Sequence, residues 1–466
     1  MLPARPVRFR LNGAMVSVAA EIPASETLLR WLRGPARLSG TKEGCAEGDC
    51  GACTVVLEEQ GGARTPINAC LVALGQLDGT SLRTVEGLAG PSGPHPIQRA
   101  MADANATQCG FCTPGFVMAA WAYAQEGGDK HEALAGNLCR CTGYRPILDA
   151  LAIQSDLEPP LSDLPPSGPA LFETAACRVW RPTTLDDLLD LRTAHPDAWL
   201  LAGGTDLGLL LSEGRDAPAE IILLLAIPEL QRLVSEPEGL RIGAAVSYAR
   251  LLHLIRDIPS FAGLIPMLSR LGSRQIRGLG TIGGNLGTAS PIGDMLPPLL
   301  ALSATIRLRA PAGTRDLPVA DFLRGYRLNA LAPGEIIESV FLPAPPPGST
   351  FLCEKISKRY DQDISTVSAA ILLRIDNGTI MDARLAFGGM AATAARALHT
   401  EAALTGAPWS PVTLDTAAQA LAQDFSPLSD LRSTATYRQA AAAGLLRRLW
   451  PRLERTDLDL QTLAPI

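Results

Sequence analysis

The sequence predicts a multidomain α+β protein with a cysteine-rich first part. The chain has 466 residues, which is too long for one hydrophobic core. Eight of its ten cysteines lie before residue 142, where hairpin and helical patterns follow one another. Two proline-rich stretches, 158–170 and 343–347, divide the remainder. We therefore expect several domains with separate roles, arranged in chain order.

Composition narrows the class of protein. The chain is 47% hydrophobic and 19% charged, as in globular proteins. Its net charge of -6 gives no electrostatic reason to bind nucleic acid or anionic lipid. The longest apolar run, Ile221–Ile227, is far shorter than the roughly 20 residues that a membrane helix needs. The segment 1–30 carries polar and charged side chains throughout and shows no secretory signal, so we expect a soluble cytoplasmic protein.

The segment 1–85 has the alternating pattern of a small α+β domain. Val7–Leu11 and Met15–Val18 flank an Asn12-Gly13 turn and predict a hairpin. Thr27–Arg33 predicts a short helix that ends at Gly34-Pro35, and Cys53–Leu57 predicts a further strand.

The segment 86–157 shows helical patterns instead. Thr113 is predicted to cap a helix with Pro114 at its first position, and Thr142 is predicted to cap another. Ile147, Leu148, Leu151 and Ala152 would share one face of that second helix. The segment 158–171 then predicts a proline-rich linker.

The rest of the chain divides at the second proline cluster. In the segment 172–342, strand-like runs at Ile221–Leu225, Leu240–Ile242 and Thr305–Leu308 are separated by glycine-rich loops. In the segment 343–466, alternating strands at Ala369–Ile375 and Met381–Phe387 precede alanine-rich helices.

Cys45, Cys50 and Cys53, with Cys70 further on, give C-x4-C-x2-C and a distant fourth thiolate. This is the plant-type [2Fe–2S] spacing, in which a glycine-rich loop wraps one cluster. Disulfides belong to small secreted domains, and zinc sites favour paired C-x2-C knuckles or histidine partners that are missing here. The spacing therefore favours an iron–sulfur cluster, with zinc as the alternative.

A second set comprises Cys109 and Cys112, with Cys139 and Cys141 further along the helical segment. C-x2-C alone also suits a redox dithiol or half of a zinc site. With four thiolates and no histidine, the set favours a second cluster, and zinc stays open. Cys177 and Cys353 lie outside both sets and are expected to be small buried hydrophobes.

The segment 278–283 fits G-x-G-x-x-G, but a dinucleotide fingerprint must follow a strand and open a helix. The motif is followed by Gly284 and Gly287 and then by Pro291, which argue against a helix N-terminus here. A turn without ligand is one interpretation. The other is a pyrophosphate held by backbone N–H groups of this loop and of Leu201–Asp206, without a helix dipole.

The segments GCAEGDCGACTV, QCGFCTPGF and CRCTGYRPI resemble the two iron–sulfur domains of the molybdenum hydroxylase family, which includes xanthine dehydrogenase and aldehyde oxidase. LLAGGTDL and TIGGNLGTASPIGD are similar to the two flavin-contacting loops of the same family. The resemblance implies a β-grasp ferredoxin-like domain, a helical-bundle [2Fe–2S] domain, a non-Rossmann α+β FAD-binding domain and a small α+β C-terminal domain.

Matching positions imply the site residues. The eight cysteines of the two sets would bind the two clusters, and Leu271 stands where the animal enzymes carry a phenylalanine against the flavin. The implied FAD contacts are Leu200, Leu201, Ala202, Gly203, Gly204, Thr205, Asp206, Leu207, Leu271, Thr281, Ile282, Gly283, Gly284, Asn285, Asp294, Ile337 and Lys355. No residue of this chain is nominated as catalytic.

The resemblance also implies a function. The chain ends after the flavin domains, so we expect a separate large subunit with the molybdenum cofactor and substrate pocket, in a heterotetramer of two small and two large chains. Electrons from hypoxanthine or xanthine would pass through two [2Fe–2S] clusters to FAD and on to NAD. Fusion of these domains favours the xanthine dehydrogenase type. An aldehyde or N-heterocycle hydroxylase subunit and a stand-alone electron carrier are the alternatives.

Overall fold

The computed structural model describes residues 2–59, 62–91, 93–151, 163–214 and 218–454. Within these ranges sheets and helices are interleaved along the chain, which confirms the multidomain α+β class. The strands are β1 (Arg8–Leu11), β2 (Ala14–Ser17), β3 (Thr54–Glu58), β4 (Arg64–Asn68), β5 (Ser81–Arg83), β6 (Ala170–Glu173), β7 (Arg178–Arg181), β8 (Trp199–Leu201), β9 (Glu220–Leu223), β10 (Leu233–Glu236), β11 (Gly239–Gly243), β12 (Thr305–Ala310), β13 (Gly313–Pro318), β14 (Leu323–Gly325), β15 (Leu328–Asn329), β16 (Ile336–Pro343), β17 (Ser349–Ile356), β18 (Val367–Asp376), β19 (Thr379–Gly388) and β20 (Ala395–Arg396).

The α-helices of the described residues are mostly short. They are α1 (Leu28–Arg33), α2 (Pro96–Asp103), α3 (Thr113–Glu126), α4 (Lys130–Leu134), α5 (Arg145–Ala150), α6 (Leu185–Ala194), α7 (Leu207–Glu213), α8 (Tyr248–Ile255), α9 (Ile265–Ser269), α10 (Arg274–Leu279), α11 (Ile282–Thr288), α12 (Leu296–Ala301), α13 (Val319–Phe322), α14 (Leu398–Leu404), α15 (Pro411–Asp424), α16 (Ala435–Arg447) and α17 (Leu449–Glu454). None of them is long and apolar enough to cross a membrane.

The first sheet has the strand order β2-β1-β5-β3-β4. Its opening hairpin turns at Asn12-Gly13, where both residues have positive φ, as the sequence predicts. The predicted helix α1 is also confirmed, because the Thr27 side chain accepts a hydrogen bond from the Arg30 N–H and Gly34 ends the helix.

The core beneath this sheet does not stop at residue 85. Phe9, Val55 and Leu74 pack in one cluster with Val179 and Ile221 of the following sheet, which has the order β6-β7-β9-β8. The first cysteine-containing segment and the start of the segment with the glycine loops therefore share one hydrophobic core. The sequence patterns treat them as separate units.

Two predicted helix caps in the cysteine-rich helical segment are wrong. Helix α3 is capped by Cys112 rather than Thr113, so Pro114 is its second residue, and the Thr113 hydroxyl instead lies 2.7 Å from that of Thr107. Helix α5 begins after Tyr144, because Gly143 and Tyr144 both have left-handed φ and separate Thr142 from the helix.

The expected apolar face of α5 is present as far as it can be followed. Ile147, Leu148 and Leu151 pack into the helical core. Ala152 and the first part of the predicted linker, 158–162, lie outside the described residues.

The structure also corrects the expectation that the segment 278–283 does not open a helix. Thr281 caps α11 by accepting a hydrogen bond of 3.0 Å from the Gly284 N–H, and Ile282 and Leu286 of this helix are buried. What precedes the glycines is helix α10 and not a strand. The dinucleotide fingerprint is therefore still excluded, by its missing strand.

The sheet β17-β18-β19-β20 lies between two cores. Strand β18 is buried continuously from Val367 to Leu373 instead of showing the predicted alternation. Ala370 and Leu372 pack with the core of the preceding segment, while Ile371 and Leu373 pack with helices α14 to α16. A strand covered on both faces loses the polar half of its pattern.

Candidate functional site

The first cysteine set forms two sulfur pairs around the loop between α1 and β3. The Cys53 and Cys70 Sγ atoms are 3.4 Å apart and buried. Cys45 pairs with Cys50, and its Sγ atom also accepts N–H groups of Glu47, Asp49 and Cys50 at 3.3–3.5 Å. The hydrogen bond from the Cys50 thiol and these backbone donors lower the pKa of the Cys45 thiol to about 5. A thiolate, which is the metal-ligating form, is thus favoured at Cys45.

The second cysteine set repeats the paired arrangement near the surface. The Cys109 and Cys141 Sγ atoms are 3.5 Å apart and both residues are exposed, while Cys112 pairs with the buried Cys139. The Cys139 Sγ atom lies 3.4 Å from the Thr142 N–H and 3.1 Å from the Thr142 hydroxyl. Thr142, predicted as a helix cap, instead supports a cysteine sulfur.

These pairs fit a two-iron cluster. In a [2Fe–2S] cluster each iron takes two protein ligands, so four thiolates fall naturally into two pairs. A structural zinc ion would instead gather all four sulfurs around one centre. Among the described residues, no three His, Cys, Asp or Glu side chains converge on one point in that way. The donor set therefore suits the predicted clusters. Cys177 and Cys353 are buried apart from both sets, as predicted.

A cavity of about 680 Å³ lies between the two glycine loops. The loop after β8 leads into α7, and the turn between α10 and α11 faces it. Every implied FAD contact lines this cavity except Ile282, whose side chain is fully buried in the hydrophobic core. The sequence motifs 200–207 and 281–285, which are far apart along the chain, therefore meet at one site.

Close backbone contact explains the glycines of these loops. A Cβ atom at Gly203 would lie 1.7 Å from the Leu279 carbonyl oxygen, and one at Gly283 would lie 2.5 Å from the Ala244 carbonyl oxygen. The loop after β8 and the end of α10 therefore touch through their main chains. No side chain fits between them.

A buried ion pair forms part of the cavity wall. The Lys355 Nζ atom donates to Asp294 Oδ2 at 2.7 Å and to the Arg270 carbonyl oxygen at 3.0 Å. Ser365 donates to the other oxygen of Asp294. Both charged side chains are less than a tenth exposed, and their ion pair with the bonds to Arg270 and Ser365 offsets part of the cost of burial. The sequence predicted Asp294 and Lys355 but not Ser365.

Two polar atoms on the cavity wall have no hydrogen-bond partner among the described residues. They are the Tyr248 hydroxyl and the Asn285 Oδ1 atom. Burial raises the pKa of Tyr248, so its hydroxyl is a neutral donor. Buried polar groups are almost always paired. Both residues belong to the cavity wall, and a donor and an acceptor without protein partners fit a ligand rich in nitrogen and oxygen, such as a flavin nucleotide.

Tyr248 and the apolar part of the wall were missed at the level of sequence. Leu188, Leu224 and Leu230 line the cavity from three different elements or their ends. Their spacing carries no motif, since ordinary core leucines give the same pattern. Only the tertiary fold shows that they face a ligand-sized space.

We expect Tyr248→Phe to weaken FAD binding by about five-fold, since one neutral hydrogen bond contributes about 1 kcal/mol. Titration of the flavin-free protein with FAD, followed by quenching of flavin fluorescence, measures the affinity. Tyr326→Phe, at a tyrosine that is 64% exposed, is the matched control and should leave the affinity unchanged. Equal affinity of the Tyr248→Phe protein and the unmodified protein would show that this hydroxyl does not contact the cofactor.

Three family models match the chain. Residues 84–152 match a [2Fe-2S] binding domain. Residues 173–345 match the FAD binding domain in molybdopterin dehydrogenase, and residues 353–453 match the CO dehydrogenase flavoprotein C-terminal domain. The chain thus contains both a [2Fe–2S] and an FAD-binding domain.

Whole-chain relatives are xanthine dehydrogenases. The protein from Emericella nidulans is 34% identical over 99% of this chain and 40% of its own length. The protein from Drosophila pseudoobscura is 31% identical over 96% of this chain and 39% of its own length. The chain therefore spans about two fifths of the length of the curated relatives that it matches.

Solved structures match more than half of the chain. A carbon monoxide dehydrogenase from Hydrogenophaga pseudoflava shares 29% identity with a TM-score of 0.55, and covers 58% of this chain and 94% of its own. Quinoline 2-oxidoreductase from Pseudomonas putida 86 shares 26% identity with a TM-score of 0.54 over the same shares.

Proposed function

This chain belongs to the molybdenum hydroxylase family and carries the iron–sulfur and FAD region of that family. We propose that it passes electrons from a molybdenum-containing partner to NAD. The observation that carries the proposal is the succession of three sites: the second cysteine set, which has two exposed cysteines, the first cysteine set, which has none, and the cavity. We call the second set the exposed set and the first set the buried set. When bound, the clusters exchange single electrons and FAD collects them in pairs, which is chemistry that the cofactors supply.

The residues between the first cysteine set and the cavity approach one another closely. Ile276 lines the cavity, and its Cδ1 atom lies 3.3 Å from the Cβ position of Gly48, inside the first cysteine loop. On the other side of that loop, the carbonyl oxygen of Leu71, next to Cys70, lies 3.3 Å from the Cβ position of Gly204 in the flavin loop. The buried cysteine set thus adjoins the cavity, and we assign it the position between the exposed set and the flavin.

The exposed set would face the partner. Cys109 and Cys141 are exposed, whereas Cys53 and Cys70 are buried. Electrons would therefore enter at the exposed set, and the molybdenum cofactor and substrate pocket would lie on a large partner subunit. Each relative is more than twice as long as the part that this chain matches, which leaves room for such a region. A heterotetramer of two small and two large chains is our proposal for the assembly.

We propose xanthine and hypoxanthine as substrates of the complex, since the matched relatives from a fungus and from flies are xanthine dehydrogenases. An N-heterocycle hydroxylase is the second candidate, supported by the match to quinoline 2-oxidoreductase. Purifying the chain from its host with its partners, and assaying the complex with xanthine and with quinoline in the presence of NAD, separates these candidates. Purification without any molybdenum-containing partner would favour a stand-alone carrier.

Metal analysis tests the cofactor content. We expect about four iron atoms per chain, because two complete four-thiolate sets each hold two irons. The two reduced clusters should give distinct electron paramagnetic resonance (EPR) signals, since two cysteines of the second set are exposed and none of the first set is. Stoichiometric zinc with little iron would contradict the proposal.

A further inference from the structure

Gln275 is a buried side chain that joins three distant parts of the chain. It lies on α10, the helix that leads to the flavin loop, and is 1% exposed. Its Nε2 atom donates to the Thr54 hydroxyl at 3.1 Å and to Asn137 Oδ1 at 3.0 Å. We call Gln275, Thr54 and Asn137 the clamp.

The clamp closes on the segment between two cysteines of the first set. The Thr54 hydroxyl donates to the Gly51 carbonyl oxygen at 2.7 Å, and Asn137 Nδ2 donates to the same oxygen at 2.9 Å. Gly51 lies between Cys50 and Cys53, and Asn137 lies shortly before Cys139. The clamp therefore connects the loops that carry the two cysteine sets.

A direct backbone link runs beside the clamp. The Leu138 N–H donates to the Cys50 carbonyl oxygen at 2.9 Å. This bond joins a cysteine of the first set to the residue adjacent to Cys139 of the second. Leu138 and Cys50 are far apart along the chain. The length of this hydrogen bond therefore depends on the tertiary contacts that hold the two loops together.

The packing around the clamp leaves no free space. A Cβ atom at Gly51 would lie 2.1 Å from the Gly136 carbonyl oxygen, and one at Gly136 would lie 1.9 Å from Gln275 Oε1. The flanking residues of α10 dock on the same helical segment, since Arg274 pairs with Glu126 and Arg277 pairs with Glu132. Helix α10 of the flavin segment thus places the Gln275 side chain between the two cysteine loops.

The Gln275 amide is only partly satisfied at this position. Its Oε1 atom is buried and has no hydrogen-bond partner among the described residues. An unpaired buried acceptor costs about 1–3 kcal/mol. Leucine would remove this acceptor, but it would also leave the buried Asn137 Oδ1 without the Gln275 donor. What the amide adds over leucine is two directional bonds, one to each cysteine loop.

We propose that Gln275 is a positioning residue that fixes the distance between the two cysteine sets. The inference rests on the proposed function, because the distance matters only if both sets hold redox centres. Electron exchange between two weakly coupled centres slows steeply as their separation grows. A contact supplied by the flavin segment would therefore hold both clusters at working distance.

The test uses the full chain carrying Gln275→Leu. EPR spectroscopy of the dithionite-reduced protein measures the spin–spin splitting between the two clusters, which depends on their distance. We expect the splitting to fall at least two-fold in a folded protein with unchanged iron content. Gln231→Leu, at a partly buried glutamine that donates to a backbone carbonyl elsewhere, is the control and should keep the splitting. A residue with a purely structural role would alter the melting temperature without altering the splitting.

Thr54→Val and Thr54→Ser provide a second route if Gln275→Leu does not fold. Valine removes the central hydroxyl of the clamp and serine retains it, so only valine should reduce the splitting.

Equal splitting in both variants, or unchanged splitting in folded Gln275→Leu, would overturn the inference. Unmodified protein with two cluster signals and no splitting would overturn it as well. Unmodified protein without two iron–sulfur signals would refute the proposed function instead.

Discussion

Cys50→Ser is expected to abolish the iron–sulfur signal of the first cysteine set and leave that of the second. Serine is a poor substitute for a thiolate ligand, and Cys50 is paired with Cys45 in the structure. The second set shares no ligand with the first, and only Val56 and Val85 of the segment 1–85 pack in its helical core among the described residues. Iron content should fall by about half, because two of four irons are lost.

The backbone role of Cys50 survives this change. Its carbonyl oxygen accepts the Leu138 N–H at 2.9 Å, and serine keeps that oxygen. Cys177→Ser is the matched control, since Cys177 is buried but belongs to neither set. It should retain both signals. Loss of both signals together in a folded Cys50→Ser protein would show that the two sites are not independent.

Gly203→Val is expected to empty the flavin site. A Cβ atom there would lie 1.7 Å from the Leu279 carbonyl oxygen, so the two cavity walls must separate. Because backbone atoms are involved, no side-chain movement relieves the clash. FAD content after purification should fall at least ten-fold, while iron content stays near that of the unmodified protein.

Gly444→Ala is the control for this substitution. Gly444 lies within α16, no atom lies within 4 Å of its Cβ position, and alanine is favoured in a helix by about 0.5–1 kcal/mol. That variant should keep its full FAD content. If Gly203→Val also kept FAD, the cavity between the glycine loops would not be the flavin site.

The parts of the site that could be predicted from the sequence are those whose motifs have fixed spacing. The eight cysteines fall into two paired sets, and both glycine loops reach the same cavity. These features depend on local geometry, such as a loop that must turn tightly around sulfur atoms. Local patterns suffice for them.

Features that tertiary contacts decide could not be predicted in this way. Thr113 and Thr142 are good caps by type, but their hydroxyls face Thr107 and Cys139 instead of a helix end. Strand β18 lost its alternation because a second core covers its other face. Tyr248 and Gln275 carry no motif at all, and their importance follows only from atoms that lie far away in the chain.

One hydrophobic core joins Phe9 and Leu74 to Val179 and Ile221. This shared core limits where the chain can be joined to a segment of a relative in a chimera. A chimera that exchanged the segment 1–85 for the equivalent part of a relative would place a foreign surface against β7 and β9. Side chains on both sides of that boundary would need to change together. The smallest unit that can be exchanged is therefore the cysteine-rich start together with the sheet β6-β7-β9-β8. Chimeras joined at residue 85 should yield insoluble protein.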